Sequence, residues 1–207
     1  IRYIDYDQDN FQEKQVSDIE ECFQFKNTST VTWINIDGLH EVQLIERLGA
    51  EYELHPLILE DILSTVQRPK FEEYEKSIFI VLKMLSYDDE NQMIQSEQVS
   101  LVLGSNFVLC FQEAAGDVFE PIRERIRNSK GRIRKAAADY LMYALLDAIV
   151  DSYFSILEKF GEKIELLEKE LLSQPSDETL EQIHSIKREM IYLRRCIWPL
   201  RELISSL

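Results

Sequence analysis

The sequence predicts an α/β domain followed by a long helical hairpin. Over the first 115 residues, strand-like runs alternate with helix-like runs. Between residues 77 and 112, three strand-like runs follow one another across short turns, which indicates an antiparallel portion of a sheet. After Gly116 the pattern is wholly helical. Because the earlier helices alternate with strands, we expect helices to cover the faces of the sheet.

The first elements of the α/β domain are two strands with a short helix between them. Residues 1–6 and the β-branched and aromatic run 30–36 are typical of strands. Ser17 and Glu20 stand at the spacing of a capping box. This spacing predicts that a short helix begins just after residue 17.

Two further helices and three strands complete the α/β domain. The apolar residues of 42–48 recur at helical spacing, and Pro56 suits the first turn of a helix that continues to residue 65. Strands are then predicted at 77–87, 96–103 and 107–112, with polar turns at 88–91 and 104–106.

The remainder of the chain is predicted to be helical. A helix covers 117–128, and a periodic run of more than thirty residues covers 136–173. A turn at Pro175 leads into a second long helix that begins at Glu178 and continues to the end. Two helices of this length are too long for a domain of this size, so we expect part of the hairpin to project. The chain is thereby divided into 1–135, 136–175 and 176–207.

Composition and charge restrict the class of protein. The chain has 207 residues, with 38 acidic and 23 basic side chains and a formal charge of −15. A surface this acidic attracts cations and does not bind nucleic acid or anionic lipid through its general field. The three cysteines, Cys22, Cys110 and Cys196, are far apart, which favours a reducing compartment over a disulfide framework.

The apolar runs and the ends of the chain bear on membrane insertion and on the length of the whole protein. No run approaches 18 apolar residues, so we expect no bilayer-spanning segment within these residues. The chain begins at Ile1 and is still helical in pattern where it ends, so we expect it to be part of a longer protein.

No enzyme signature is present in the sequence. There is no Gly-rich phosphate loop, no His-Glu-x-x-His and no Gly-x-Ser-x-Gly. The histidines His40, His55 and His184 are far apart and have no Cys or Asp at ligand spacing, so structural roles are expected for them. We therefore predict that the protein is not an enzyme.

Two pairs of acidic residues are the candidate metal ligands. Glu60 and Asp61 are neighbours on a short helix that is otherwise Leu and Ile, and Asp147 and Asp151 stack one turn apart in an apolar stretch. Solvent exposure, pairing with a basic side chain and binding of a cation each account for such placements. If a cation is bound, the oxygen ligands favour a hard divalent ion such as Mg²⁺.

A basic segment interrupts the acidic chain. Residues 121–135 carry a local charge of +6, because seven basic side chains stand against Glu124 alone. The segment has no interleaved aromatic residues on which bases would stack, so nucleic-acid binding is not predicted. We expect these side chains to pair with acidic neighbours in an assembly. The seven are Arg123, Arg125, Arg127, Lys130, Arg132, Arg134 and Lys135.

Seven segments of the sequence are informative when they are taken together. They are HPLILEDI at 55–62, QRPKFEEY at 67–74, FIVLKM at 79–84, SEQVSL at 96–101, GDVF at 116–119, ADY at 138–140 and IWPLRE at 197–202. They extend over nearly the whole chain, and in this order they resemble the cytoplasmic domain of CorA-type magnesium transporters.

The resemblance implies a fold, an assembly and a location. It implies a layered α/β/α sandwich with a mixed sheet, then a projecting acidic helix pair and the start of a stalk helix. It further implies a homopentamer in the cell inner membrane, with this domain on the cytoplasmic side. The membrane helices and the Gly-Met-Asn selectivity motif of the family would follow the present residues.

The resemblance also implies metal ligands. Glu60, Asp61 and Asp147 match residues that bind regulatory Mg²⁺, or Co²⁺, between neighbouring domains, and the partner carboxylate would lie beyond Leu207. Asp151 matches no ligand. The expected function is therefore Mg²⁺ sensing that closes a divalent-cation channel. Two alternatives are the same domain of a ZntB-like zinc transporter and a soluble scaffold with an acidic helical hairpin.

Overall fold

The computed structural model describes residues 1–90, 93–173, 176–201 and 205. Up to Ile197 the described residues form seven strands and six α-helices. The strands are β1 (Arg2–Tyr6), β2 (Phe11–Gln15), β3 (Val31–Asp37), β4 (Lys70–Tyr74), β5 (Ser77–Asp88), β6 (Met93–Leu103) and β7 (Phe107–Gln112). The helices are α1 (Glu20–Phe23), α2 (Val42–Glu51), α3 (Pro56–Leu63), α4 (Glu120–Arg127), α5 (Ala138–Ser173) and α6 (Asp177–Ile197). A single 3₁₀ turn covers Ile133–Lys135.

All seven strands belong to one mixed sheet. Their order is β2-β1-β3-β7-β6-β5-β4, and β3 and β7 are parallel while the other neighbours are antiparallel. The predicted antiparallel portion is confirmed as β5, β6 and β7. Strands β2 and β4 were not predicted from the sequence. Both are edge strands with many charged residues, so they lack the apolar alternation by which inner strands are identified.

Helices cover both faces of the sheet, as predicted for a layered α/β/α sandwich. Along a strand, successive side chains point to opposite faces. Trp33 and Ile80 therefore pack with α4, α5 and α6, whereas Ile34 and Val81 pack with α1, α2 and α3. Each face of the sheet thus has its own apolar core.

Two helix starts show how local chemistry sets the boundaries. The predicted capping box at Ser17 is wrong, because α1 begins after Ile19 without a side-chain cap, and the backbone N–H of Glu20 donates instead to Asp18 Oδ1 at 3.0 Å. The start of α3 at Pro56 is confirmed. There, His55 Nδ1 accepts a hydrogen bond from the backbone N–H of Leu57 at 3.2 Å.

Helix α5 joins the sheet domain to the hairpin. In its first half, Leu141, Leu145 and Ile149 are fully buried against the sheet. By length and composition the helix is apolar enough to cross a membrane, contrary to our expectation, but many of its apolar side chains are buried in the core. Between Phe160 and Ser173 only Leu167 is buried, so this part of the hairpin extends outside the core.

Helix α6 ends earlier than the sequence pattern predicts. It stops at Ile197, a turn covers Trp198 and Pro199, and helix resumes at Leu200. Proline has no N–H with which to continue the helical hydrogen bonds, so an unbroken helix to the end of the chain is wrong at this point. The predicted turn residues 91 and 175, and the predicted helix at 202–204 and 206–207, lie outside the described residues.

Candidate metal-binding site

Helix α3 carries the first two predicted ligands. Ile58 and Ile62 are fully buried, which fixes the face of α3 that packs on the sheet. Glu60 is exposed, and the Asp61 side chain is only 19% exposed. Helix α2 approaches α3 closely at Gly49, where an added Cβ would lie 2.6 Å from a methyl carbon of Leu59.

Both carboxylate oxygens of Asp61 accept hydrogen bonds from its own chain. Gln67 Nε2 donates to Oδ1, and the Lys70 ammonium donates to Oδ2 and forms an ion pair with it. Lys70 also pairs with Glu72 at 2.9 Å, and the Tyr74 hydroxyl donates to Glu72 at 2.8 Å. Gln67 and Lys70 were not predicted as partners of Asp61, although both lie in the QRPK segment, which is part of the family resemblance.

The electrostatics of this network favour a charged lysine. Partial burial of Lys70 opposes its charge, but its hydrogen bonds to Asp61 and Glu72 prevail and raise the pKa of Lys70. Burial, together with the hydrogen bond to Glu72, raises the pKa of Tyr74 to about 12. The network therefore contains two carboxylates and one ammonium, with a net charge of −1 when all three are ionised.

A buried glutamine anchors the end of α3 to the sheet. The side-chain amide of Gln98 on β6 donates to the backbone carbonyls of Asp61 and Ser64, at 3.1 and 3.0 Å. Gln98 is 1% exposed. These bonds satisfy carbonyls in the last turn of α3 and hold the backbone at Asp61 in place.

The third predicted ligand lies on the other side of the sheet. Asp147 is exposed on α5, and Asp151 is exposed one turn further along. Because α3 and α5 belong to the two opposite core clusters, one chain cannot bring Asp147 together with Asp61. In the part of the chain that the structure describes, no three His, Cys, Asp or Glu side chains are grouped so that they could hold a metal ion.

The donor set nevertheless suits magnesium. The three predicted ligands offer carboxylate oxygens, the hard ligands that Mg²⁺ prefers. Mg²⁺ keeps several of its waters and needs only one or two carboxylates from the protein. One chain can therefore supply part of a site, with the remaining ligands coming from water and another chain.

Two arginines of the basic segment form ion pairs within their own chain. Arg123 pairs with Asp117 and Glu120, and Arg127 pairs with Glu13 and Glu120. The expected partners were acidic neighbours in an assembly, but for these two arginines the chain itself provides them. Asp117, the first residue of the helix predicted at 117–128 and part of the GDVF segment, is the nearly buried partner of Arg123.

Sequence comparisons identify relatives of this chain. A family profile described as CorA-like Mg²⁺ transporter protein matches residues 28–207. The cobalt/magnesium transport protein CorA of Thermotoga maritima is 50% identical over 207 residues, which are 100% of this chain and 59% of that protein. The protein of the same name from Methanocaldococcus jannaschii is 23% identical over 137 residues, which are 66% of this chain and 42% of that protein. The chain therefore spans about three fifths or less of the length of these relatives.

Solved structures show the same fold. The soluble domain of CorA from Methanocaldococcus jannaschii matches with a TM-score of 0.75 at 18% identity, covering 99% of this chain and 78% of that chain. The ZntB cytoplasmic domain from Vibrio parahaemolyticus matches with a TM-score of 0.71 at 13% identity, covering 100% of this chain and 79% of that chain. At these identities the likeness is one of fold alone.

Proposed function

The chain belongs to the CorA-like Mg²⁺ transporter family, and from this premise we propose that it is the cytoplasmic Mg²⁺-sensing and gating domain of a divalent-cation channel. In this proposal the channel carries Mg²⁺ or Co²⁺, the ions named for the relative at 50% identity. The subunit forms a homopentamer in the cell inner membrane, through segments that follow these residues. Residues 1–135 form the α/β domain, 136–175 the long acidic helix, and 176–207 the second helix and the beginning of the stalk.

The placement of the predicted ligands on two faces of the sheet carries the proposal. Glu60 and Asp61 lie on the α3 side, and Asp147 lies on the α5 side. A closed ring of identical subunits is built from two different surfaces of each subunit, which meet at every interface. A ring that brings the α3 side of one subunit towards the α5 side of the next would supply carboxylates to Mg²⁺ from both.

Electrostatic repulsion provides the energy for gating. Five copies of a chain with a charge of −15 sum to −75. Two carboxylates about 4 Å apart repel by about 1 kcal/mol in water-like surroundings, and by more where water is excluded. Bridging Mg²⁺ ions offset this repulsion and hold the closed ring. When the internal Mg²⁺ concentration falls, the ions dissociate and the equilibrium shifts towards the open ring. The size of the shift is set by how much more tightly Mg²⁺ binds the closed ring than the open one.

The three carboxylates contribute unequally to this repulsion. Asp61 is partly neutralised by Lys70. Glu60 and Asp147 are exposed, and neither has an ion-pair partner in the described part of the chain. The repulsion that returns when Mg²⁺ leaves therefore comes mainly from Glu60 and Asp147.

Limited proteolysis of the full-length protein during a Mg²⁺ titration tests this function. We expect Mg²⁺ to protect the parent protein from cleavage, because bound ions close the ring. The double variant Asp61→Ala/Asp147→Ala should lose that protection. Asp151→Ala is the control for the change at Asp147, because it removes one carboxylate one turn further along α5 and should leave the protection intact. Full protection in the double variant would contradict the assignment of these ligands.

The same titration separates the alternatives. Protection by Zn²⁺ at far lower concentrations than Mg²⁺ or Co²⁺ would favour the ZntB-like zinc transporter. A parent protein whose cleavage pattern is insensitive to millimolar Mg²⁺ would favour the soluble acidic scaffold.

A further inference from the structure

Asp61 already has a cationic partner within its own chain. The Lys70 ammonium is paired with Oδ2, and Gln67 donates to Oδ1. The pair is shielded from solvent, with the Lys70 side chain 25% exposed and the Asp61 side chain 19% exposed. An ion that coordinates Asp61 directly therefore meets a carboxylate whose two oxygens each already accept a hydrogen bond, one of them from a cation.

Lys70 has a second acceptor in reach. Its ammonium lies 2.9 Å from Glu72 Oε1, and the Tyr74 hydroxyl holds the other oxygen of Glu72 at 2.8 Å. The ammonium also lies 5.6 Å from the centre of the Phe79 ring, whose face attracts cations. Lys70 can therefore leave Asp61 without losing all of its partners.

We propose that Lys70 competes with Mg²⁺ for Asp61 and thereby sets the Mg²⁺ concentration at which the site fills. This inference rests on the proposed function, because it takes Asp61 as a ligand. A Mg²⁺ ion bound directly to Oδ2 would lie close to the ammonium that donates to the same oxygen, so the two cations repel each other and compete for it. Binding of Mg²⁺ moves Lys70 wholly to Glu72, and loss of Mg²⁺ returns it to Asp61.

The competition has two consequences for sensing. Lys70 neutralises Asp61 in the metal-free state, so the ring retains less repulsion at this position than an unpaired carboxylate would give. It also lowers the affinity for Mg²⁺, because each binding event must break the ion pair. For a largely shielded but not fully buried pair, breaking the contact weakens binding about fivefold, which corresponds to about 1 kcal/mol.

The test measures Mg²⁺ affinity by calorimetry on the full-length protein. Lys70→Met keeps an unbranched stem of similar reach against Phe79 but removes the charge. We expect this variant to bind Mg²⁺ about fivefold more tightly. Lys70→Arg retains the charge and should not bind more tightly than the parent. Lys76→Met is the control for a general change of charge, because Lys76 pairs with Glu53 on the surface.

A double-mutant cycle separates direct competition from a long-range charge effect. In an Asp61→Asn background the tightening by Lys70→Met should vanish. If Lys70→Met still increases the Mg²⁺ affinity in this background, or if Lys76→Met increases it equally, the inference is overturned while the proposed function stays intact. An unchanged Mg²⁺ affinity in Asp61→Asn alone overturns the assignment of Asp61 as a ligand and the inference with it.

Discussion

The buried ion pair between Asp117 and Arg123 is the interaction whose loss should damage the fold most. The two side chains are 7% and 6% exposed, and Arg123 Nη1 donates to Asp117 Oδ1 at 2.8 Å. The guanidinium lies 5.0 Å from the centre of the Trp33 ring. Asp117 Oδ1 also accepts the backbone N–H of Phe119 at 2.9 Å. The replacement Asp117→Asn keeps the shape of this residue but removes its charge.

The expected loss of stability in Asp117→Asn depends on which partners Arg123 keeps. Removing one partner of a buried pair costs about 3–5 kcal/mol, because the other charge is left without compensation. Glu120 remains 3.3 Å from Arg123, and the asparagine oxygen can still accept the N–H of Phe119, so we expect the lower end of the range. About 3 kcal/mol, with an unfolding entropy of about 2.1 cal/mol/K per residue, lowers the Tm of a chain of this length by about 7 °C.

Thermal unfolding followed by circular dichroism measures this change. The double variant Asp117→Leu/Arg123→Met should recover much of the lost stability, because an apolar pair of similar size carries no uncompensated charge. Lys76→Met, which removes an exposed cation, should leave the Tm nearly unchanged. A Tm for Asp117→Asn within about 2 °C of the parent would refute the reasoning, since it would show that water or Glu120 already compensates Arg123.

Two further predictions concern an acid and a pair of glycines. Burial, together with the nearby charge of Glu113, raises the pKa of Glu97 in the folded protein. The folded state therefore binds the Glu97 proton more tightly than the unfolded state does. This stabilises the fold at low pH, and the stabilisation is lost as the pH rises through the raised pKa. Glu97→Gln should therefore raise the Tm more at a pH of about 7.5 than at about 4.5, and a gain independent of pH would contradict this. Gly104→Ala should cost about 1–3 kcal/mol in urea unfolding, because the new Cβ would lie 2.2 Å from the Phe107 ring. Gly161→Ala, in open space on α5, should instead stabilise by about 0.5–1 kcal/mol, and equal effects of the two substitutions would refute the steric argument.

Most of the inner elements of the fold were predictable because their patterns are local. The strand at 30–36 and the strand pair at 77–87 and 96–103 have apolar β-branched runs, and all three are confirmed. The edge strands β2 and β4 were missed because FQEKQ and KFEEY resemble charged loops. Each becomes a strand through its hydrogen bonds to a single neighbour, β1 or β5.

The candidate ligands were recognisable as acidic residues in apolar surroundings, but their environments were not. Glu60 and Asp61 are adjacent in sequence, yet one is exposed and the other is shielded and paired with Lys70. Which of the two carboxylates is shielded depends on which side of α3 packs on the sheet and on where the chain returns as β4. Neither the sequence spacing nor the residue type determines these two things.

Periodicity, turn residues and composition operate over a few residues, so the order of the elements, the acidic charge and the candidate ligands could be derived along the chain. Contacts between distant segments have no such local signature. Arg127 meets Glu13 across 114 positions, and Asp147 is separated from Asp61 by the thickness of the sheet. These relations arise only when the helices pack on their respective faces. The burial of each carboxylate and the direction in which its side chain points decide its chemistry, and both are therefore set only when the helices and the sheet have packed together.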